Sequence, residues 1–163
     1  MRSEVLAAAE SRGVSAGLRA GGAVAVLAAL KAALDGDGFA YPARLVAAMW
    51  YGTPALISSM GADAVGLGTH MAFSAALGAA FCSLGGRRGR RRWLAGLAFG
   101  AAIWGLMAFA LLPLLNPTMG GRIALRPGTW LSLHLIFGLC LARALRRSTG
   151  LASGSAGDSA VAC

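Results

Sequence analysis

Two histidines lie inside long apolar segments, and they are the side chains best suited to chemistry in this sequence. His70 and His134 are the only histidines in the chain, and each begins the pattern His-x-x-Phe followed by a small residue. An ionisable group within an apolar segment is costly to place in a bilayer, which makes each a candidate functional residue. Facing imidazoles can bind haem iron or another metal, pass a proton, or hydrogen-bond between helices. The residues alone leave these roles open, and the structural role is the preferred interpretation.

Further polar residues lie close to these histidines in the sequence. Asp63 precedes His70 by seven residues, so both lie on the same face of a helix. Lys31 lies near the end of another apolar segment, and a pair between Asp63 and Lys31 is geometrically possible. Asn116 has prolines on both sides and is expected to cap a helix end, with the lining of an outer vestibule as the alternative. The remaining polar candidates within the segments are Thr69 and Ser74.

The sequence contains no recognised catalytic or metal-binding motif. It has no Walker loop, no G-x-S-x-G, no H-E-x-x-H and no paired carboxylates. The three cysteines are scattered without the spacing of a metal site. We therefore predict a protein without enzymatic activity and without a cofactor, with haem or a metal at His70 and His134 as the alternative.

The composition is that of an integral membrane protein. Hydrophobic residues make up 57% of the chain and charged residues only 13%, against about 25% in soluble domains. The stretch from Trp93 to Gly121 has no charged residue, and ~20 apolar residues suffice to cross the hydrocarbon core. Four membrane spans are predicted, at about 17–34, 63–84, 93–115 and 129–145.

The membrane domain is predicted to cover residues 17–147, between a cytoplasmic N-terminal segment at 1–16 and a disordered C-terminal tail at 148–163. A short helix is expected near 42–60, where Gly52-Thr53-Pro54 interrupts an otherwise apolar run. Such an interruption favours an interfacial or re-entrant helix over a full span.

Basic residues cluster beside the spans and predict the orientation of the chain. The formal net charge is +9, and eleven basic residues fall on the side of the termini against four on the other side. This bias places both termini in the cytoplasm, and the Ala-, Gly- and Arg-rich composition suggests the inner membrane of a high-GC bacterium. We expect the clusters to contact anionic lipid head groups rather than nucleic acid. The largest cluster consists of Arg87, Arg88, Arg90, Arg91 and Arg92.

The spans repeat a pattern of small residues. Gly17 and Gly21 in the first span correspond to Gly96 and Gly100 in the third, at a four-residue spacing that lets helices approach closely. The second and fourth spans share the two histidine patterns in the same order. We therefore expect an all-α, integral membrane four-helix bundle built from two repeated helical hairpins. An axis along the membrane normal would relate the hairpins, and the second would lack the insertion at 42–60.

A set of small, aromatic and histidine positions between about residues 17 and 140 resembles the YagU-like family of small bacterial inner-membrane proteins. The matching positions are Gly17-Leu18-x-Ala20-Gly21, Lys31, Thr69-His70-x-x-Phe73-Ser74, Cys82, Trp93-x-x-Gly96-Leu97, the segment from Phe109 to Pro113, and His134-Leu135. The resemblance implies a multi-span protein of no settled activity, associated at most with tolerance of acid conditions. It carries Thr69, His70, Ser74 and His134 over as family positions of unknown role. The arginine cluster and the glycine-rich tail depart from the family.

Taken together, these patterns favour a non-enzymatic helical bundle with an outward-facing polar site at His70 and His134. We expect the chain to lie in the lipid bilayer and to form a homo-oligomer or to bind a membrane partner. A small transporter or a proton- or ion-conducting subunit is the first alternative, and a bis-histidine haem electron carrier is the second.

Overall fold

The computed structural model describes residues 2–57, 60–84 and 91–152. Within these ranges the chain consists of helices and short connections without a β-strand, which confirms the predicted all-α class. Four segments are long and apolar enough to cross a bilayer, at Glu10–Leu34, Met60–Ser83, Arg92–Leu115 and Pro127–Arg146. The protein is therefore a multi-pass membrane bundle by the length and composition of its helices.

Three of these segments belong to single long helices, which are α1 (Arg2–Leu34), α3 (Met60–Ser83) and α7 (Pro127–Ala152). Helix α7 thus continues into the segment predicted as a tail, and residues 153–163 lie outside the described ranges. The third segment consists of α4 (Arg92–Leu106), a π-helical turn at Met107–Leu111 and the single turn α5 (Leu112–Leu115). Pro113 lacks the N–H that would continue the α-helical ladder, which accounts for the change of winding beside it.

Two short helices connect the long ones. Helix α2 (Tyr41–Tyr51) and the 3₁₀ turn at Thr53–Leu56 lie between α1 and α3, in the region predicted to hold a short helix. Helix α6 (Pro117–Leu125) lies between α5 and α7, where the second hairpin was expected to lack an insertion. That expectation was wrong because Asn116 caps α6 and Pro117 occupies its first turn, a pairing typical of a helix start.

Each hairpin pairs two long antiparallel helices, α1 with α3 and α4 with α7, through glycines at matching positions. A Cβ added to Gly17 would lie 3.0 Å from the Gly78 Cα, and one added to Gly96 would lie 3.0 Å from the Gly138 carbonyl carbon. Ordinary carbon contacts are about 3.5–4.0 Å, so both pairs pack backbone against backbone. The two hairpins therefore share the same close contact, as the predicted repeat requires.

The hairpins lie side by side, with α1 and α7 innermost. Helix α1 packs along α7 through a cluster that includes Val24 and Leu141. Helices α3 and α4 meet mainly where the rings of Phe81 and Phe99 approach to 5.0 Å between centroids. A two-fold axis between the hairpins would make these two contacts equally extensive. Because the α1–α7 contact is much longer, the described residues do not follow the predicted axis along the membrane normal.

The two short helices lie at the same end of the bundle, beside the end of α1 and the start of α7. We call this end the capped side and the opposite end, where α1 begins, the terminus side. Glycine contacts between α1 and α3 reach from Gly13 through Gly17 to Gly21, so the close packing lies toward the terminus side. Beyond Gly21 and Gly100 the long helices separate, and α2 and α6 fill part of the space between them.

A pair of substitutions on α1 tests this packing. Gly17→Ala should lower the free energy of unfolding by about 1–3 kcal/mol, because the added methyl group collides with the α3 backbone. Gly22→Ala is the matched control, since a Cβ there meets nothing within 4 Å and alanine favours the helix by ~1 kcal/mol. Unfolding by sodium dodecyl sulfate in mixed micelles measures both variants. Equal stability of the two would contradict the packing described above.

Candidate functional site

A cavity of about 470 Å³ lies between the helices on the capped side. Every helix contributes to its lining, from Val24 on α1 to Phe137 on α7, and most of the lining side chains are apolar. His70 and His134 both line this cavity, as do Asp63, Ser74 and Asn116. The fold therefore brings five of the seven polar residues predicted from the sequence to one site.

His70 connects the two helices of the first hairpin. Its Nε2 lies 3.0 Å from the backbone carbonyl oxygen of Gly21 on α1, to which the protonated nitrogen donates. This is the hydrogen bond between helices that the structural interpretation expected. In the neutral ring the remaining nitrogen, Nδ1, is then an acceptor.

His134 makes its hydrogen bond within its own helix. Its Nδ1 lies 2.8 Å from the carbonyl oxygen of Trp130, one turn earlier on α7, and donates to it. The expected bond between helices is therefore not made by this residue. In the described part of the chain the Nε2 has no hydrogen-bond partner, and in the neutral ring it is an acceptor.

Asp63 pairs with Arg44 and not with Lys31. The Arg44 Nε lies 2.7 Å from the Asp63 Oδ1, and Nη2 lies 3.3 Å from Oδ2, so the contact is bidentate. The Asp63 carboxylate accepts these bonds and raises the pKa of the Arg44 guanidinium above its ordinary value. Lys31 instead binds Asp35 at 2.5 Å, one helical turn away. The proposed Asp63–Lys31 pair was wrong because each residue has a nearer partner.

Asn116 joins the two short helices. Its side-chain oxygen accepts a hydrogen bond of 3.0 Å from the Met119 N–H, so it caps the start of α6, a helix that was not predicted. Its Nδ2 also donates to the Leu45 carbonyl oxygen on α2, at 2.8 Å. The side chain is fully buried. One amide thereby satisfies polar groups of two helices in an apolar surrounding, where an unpaired group would be costly.

A second, smaller cavity of about 160 Å³ lies on the capped side and shares lining residues with the first, among them Trp130 and Leu133. Lys31, Asp35 and Arg126 lie around it. The ammonium of Lys31 and the guanidinium of Arg126 both donate to the Asp35 carboxylate and hold its pKa below the ordinary value. This ion-pair cluster links the end of α1 to the start of α7, 91 residues apart.

The short helices meet again at an aromatic ring. The Arg122 guanidinium of α6 lies 5.9 Å from the centre of the Tyr41 ring on α2, within reach of a cation–π interaction. Together with Asn116 and Asp35, this contact holds α6 against the first hairpin over the larger cavity.

The other described residues that the sequence singled out lie outside the lining of the larger cavity. Thr69 accepts a hydrogen bond of 3.0 Å from the Trp50 indole and thereby attaches α2 to α3. Arg91 is exposed at the start of α4, and Arg92 begins that helix. Arg87, Arg88 and Arg90 lie outside the described residues.

Sequence reasoning missed several residues of this site. Arg44, Arg126 and Asp35 were not singled out as candidates from the sequence. Trp130, which borders both cavities, was not singled out. The only signal for these residues in the sequence was their position beside apolar spans, which does not reveal a partner.

Among the described residues, no group of three His, Cys, Asp or Glu side chains lies close enough to hold a metal ion. The Nε2 of His70 faces the Gly21 carbonyl oxygen, and the Nδ1 of His134 faces that of Trp130. Haem or a metal at the two histidines stays a prediction from the sequence.

Comparisons of the chain with family models, with curated proteins and with solved structures found no match.

Replacement of Asn116 tests whether its amide holds the cap together. Asn116→Ala should destabilise the protein by about 1–3 kcal/mol, because the buried Leu45 carbonyl loses its donor, and the lost helix cap adds to this. Asn116→Ser is the control, since serine can cap α6 but is too short to replace the bond to Leu45. Chemical unfolding in detergent should place serine between alanine and wild type. Wild-type stability of the alanine variant would contradict this role.

Proposed function

We propose that this protein binds a small, mainly apolar molecule in the cavity between His70 and His134. The observation that supports the proposal is the cavity itself. Its volume of about 470 Å³ falls within the range of about 300–1,000 Å³ typical of ligand sites. Its lining is apolar with a few polar groups, which is the usual composition of such sites.

The contrast in packing within one bundle strengthens this proposal. On the terminus side, Gly17 and Gly96 bring helices into backbone contact. On the other side, the same helices leave a cavity of about 470 Å³ between them. A chain that packs so closely elsewhere gains most from its cavity when a molecule occupies it.

Transport of that molecule is the second candidate function. The larger cavity adjoins a polar one on the capped side, while Gly13, Gly17 and Gly21 keep the helices closed toward the terminus side. A site that is accessible from one side and closed to the other is what one state of a transporter requires. The apolar lining supports a neutral substrate and gives a hydrated ion few ligands.

The cellular setting is part of the proposal. The excess of Lys and Arg on the terminus side supports a bacterial inner membrane with both termini in the cytoplasm and anionic lipid at the arginine cluster. We also propose that the chain forms a homo-oligomer or binds a membrane partner, and that it is related to the YagU-like family it resembles.

The orientation can be measured by cysteine labelling. In a chain whose native cysteines are replaced by alanine, Gly121→Cys on the capped side should react with a membrane-impermeant maleimide in intact spheroplasts. The matched Arg91→Cys, on the terminus side, should react only after the membrane is permeabilised. Both positions are exposed. The reverse labelling pattern would contradict the proposed orientation.

Native mass spectrometry of protein extracted in mild detergent tests whether the cavity is occupied. The wild type should carry an apolar molecule, and Val46→Trp should lose it because the indole fills the cavity that Val46 lines.

Val14→Trp is the matched control, since this substitution adds the same bulk on α1 outside the cavity lining. The control should retain the bound molecule. Equal adducts on both variants would show that the molecule binds elsewhere and would contradict the proposed function.

A further inference from the structure

We infer that the cavity selects an uncharged ligand that donates hydrogen bonds, of the class of phenols, hydroquinones and other apolar hydroxyl compounds. This inference rests on the proposed function and adds the chemistry of the ligand. It follows from which hydrogen-bonding atoms of the cavity are already in use and which are left for a ligand.

The two imidazoles supply acceptors. The Nε2 of His70 is committed to the Gly21 carbonyl, and the Nδ1 of His134 is committed to the Trp130 carbonyl. A carbonyl oxygen only accepts, so each of these nitrogens must carry the proton of the neutral ring. The other nitrogen of each ring is then an acceptor, without a hydrogen-bond partner in the part of the chain that the structure describes.

The other polar groups of the cavity add few donors. The Asn116 oxygen accepts from Met119 and one of its two N–H groups donates to Leu45, so this side chain keeps one donor. The Asp63 carboxylate is acceptor-only, and the Ser74 hydroxyl can serve either role. The Trp130 indole is a donor, but it borders both cavities and lies one helical turn nearer the capped side than His134. The atoms that the two imidazoles themselves leave for a ligand are acceptors, and the inference rests on these two.

The charge balance favours a neutral ligand. The single carboxylate in the lining, Asp63, is paired through two hydrogen bonds with Arg44. A cation in this cavity would compete with that guanidinium, and an anion would face the carboxylate and two acceptor nitrogens. The rings of Phe73, Trp130 and Phe137 also line the cavity and suit an aromatic body that carries the hydroxyl group.

A pair of ligands that differ only in the donor tests this inference. p-Bromophenol carries a hydroxyl group, and p-bromoanisole replaces its hydrogen with a methyl group. Bromine quenches tryptophan fluorescence at short range, so quenching of Trp130 reports that the cavity is occupied. The fluorescence of Trp130 is obtained by subtracting the fluorescence of the Trp130→Phe variant from that of the protein, both in lipid nanodiscs.

The measured quantity is the ratio of the ether Kd to the phenol Kd. A single hydrogen bond contributes about 0.5–1.5 kcal/mol, so His134→Phe should lower this ratio about two- to tenfold. Partition of the two compounds into lipid cancels in this comparison. Ser132→Ala is the matched control on the same helix, because Ser132 is exposed outside the cavity and bonds only the Gly128 carbonyl. Its ratio should equal that of the wild type.

The outcomes separate the inference from the proposed function. A lower ratio in His134→Phe and an unchanged ratio in Ser132→Ala support the inference. Quenching by both compounds with the same ratio in all proteins overturns the inference and leaves the cavity as a binding site. No quenching by either compound overturns both. If His134→Phe does not fold, His70→Phe is used instead. This variant removes the acceptor Nδ1 of His70 and should lower the ratio of the ether Kd to the phenol Kd in the same way.

Discussion

The structure depends on backbone contact between long helices at a few glycines. Lipid is as apolar as the side chains of a membrane helix, so helices associate by close packing and by hydrogen bonds rather than by hydrophobic burial. Gly17 and Gly96 provide that packing in the two hairpins. Because this contact is confined to the terminus side, the same helices are free to separate on the capped side and to enclose a cavity. The position of the glycines along the helices therefore accounts for both the close packing on the terminus side and the cavity on the capped side.

The capped side is held by polar contacts. Helices α2 and α6 are too short to span a bilayer, and each is attached by hydrogen bonds or ion pairs to elements distant in sequence. Asn116 bonds Leu45, Arg44 bonds Asp63, and Arg126 bonds Asp35. The Arg126–Asp35 pair is the more exposed of the two ion pairs, and exposed ion pairs contribute little to stability. The buried amide of Asn116 is therefore the contact on which the attachment of α6 to α2 mainly depends.

Much of this architecture could be predicted from the sequence, and the limits have physical causes. Charge-free segments and glycine spacing indicate spans and their pairing, because the bilayer restricts which residues can lie within it. Helix α6 was missed because its apolar content is too low to stand out, although Asn116-Pro117 marks its start. The partner of Asp63 could not be predicted, because Arg44 lies on a short helix whose position depends on tertiary packing against Gly66. The matching patterns of His70 and His134 left open whether the two residues share a site, and their different hydrogen bonds could not be predicted either.

The central claim is that the space between His70 and His134 is a ligand site. The most direct measurement is a density map of the protein in lipid nanodiscs made from its native membrane. Our account predicts density for a bound molecule in the cavity, in contact with both imidazole rings. A map in which α2 and α6 close onto the histidines, so that side chains alone fill the space, would contradict it.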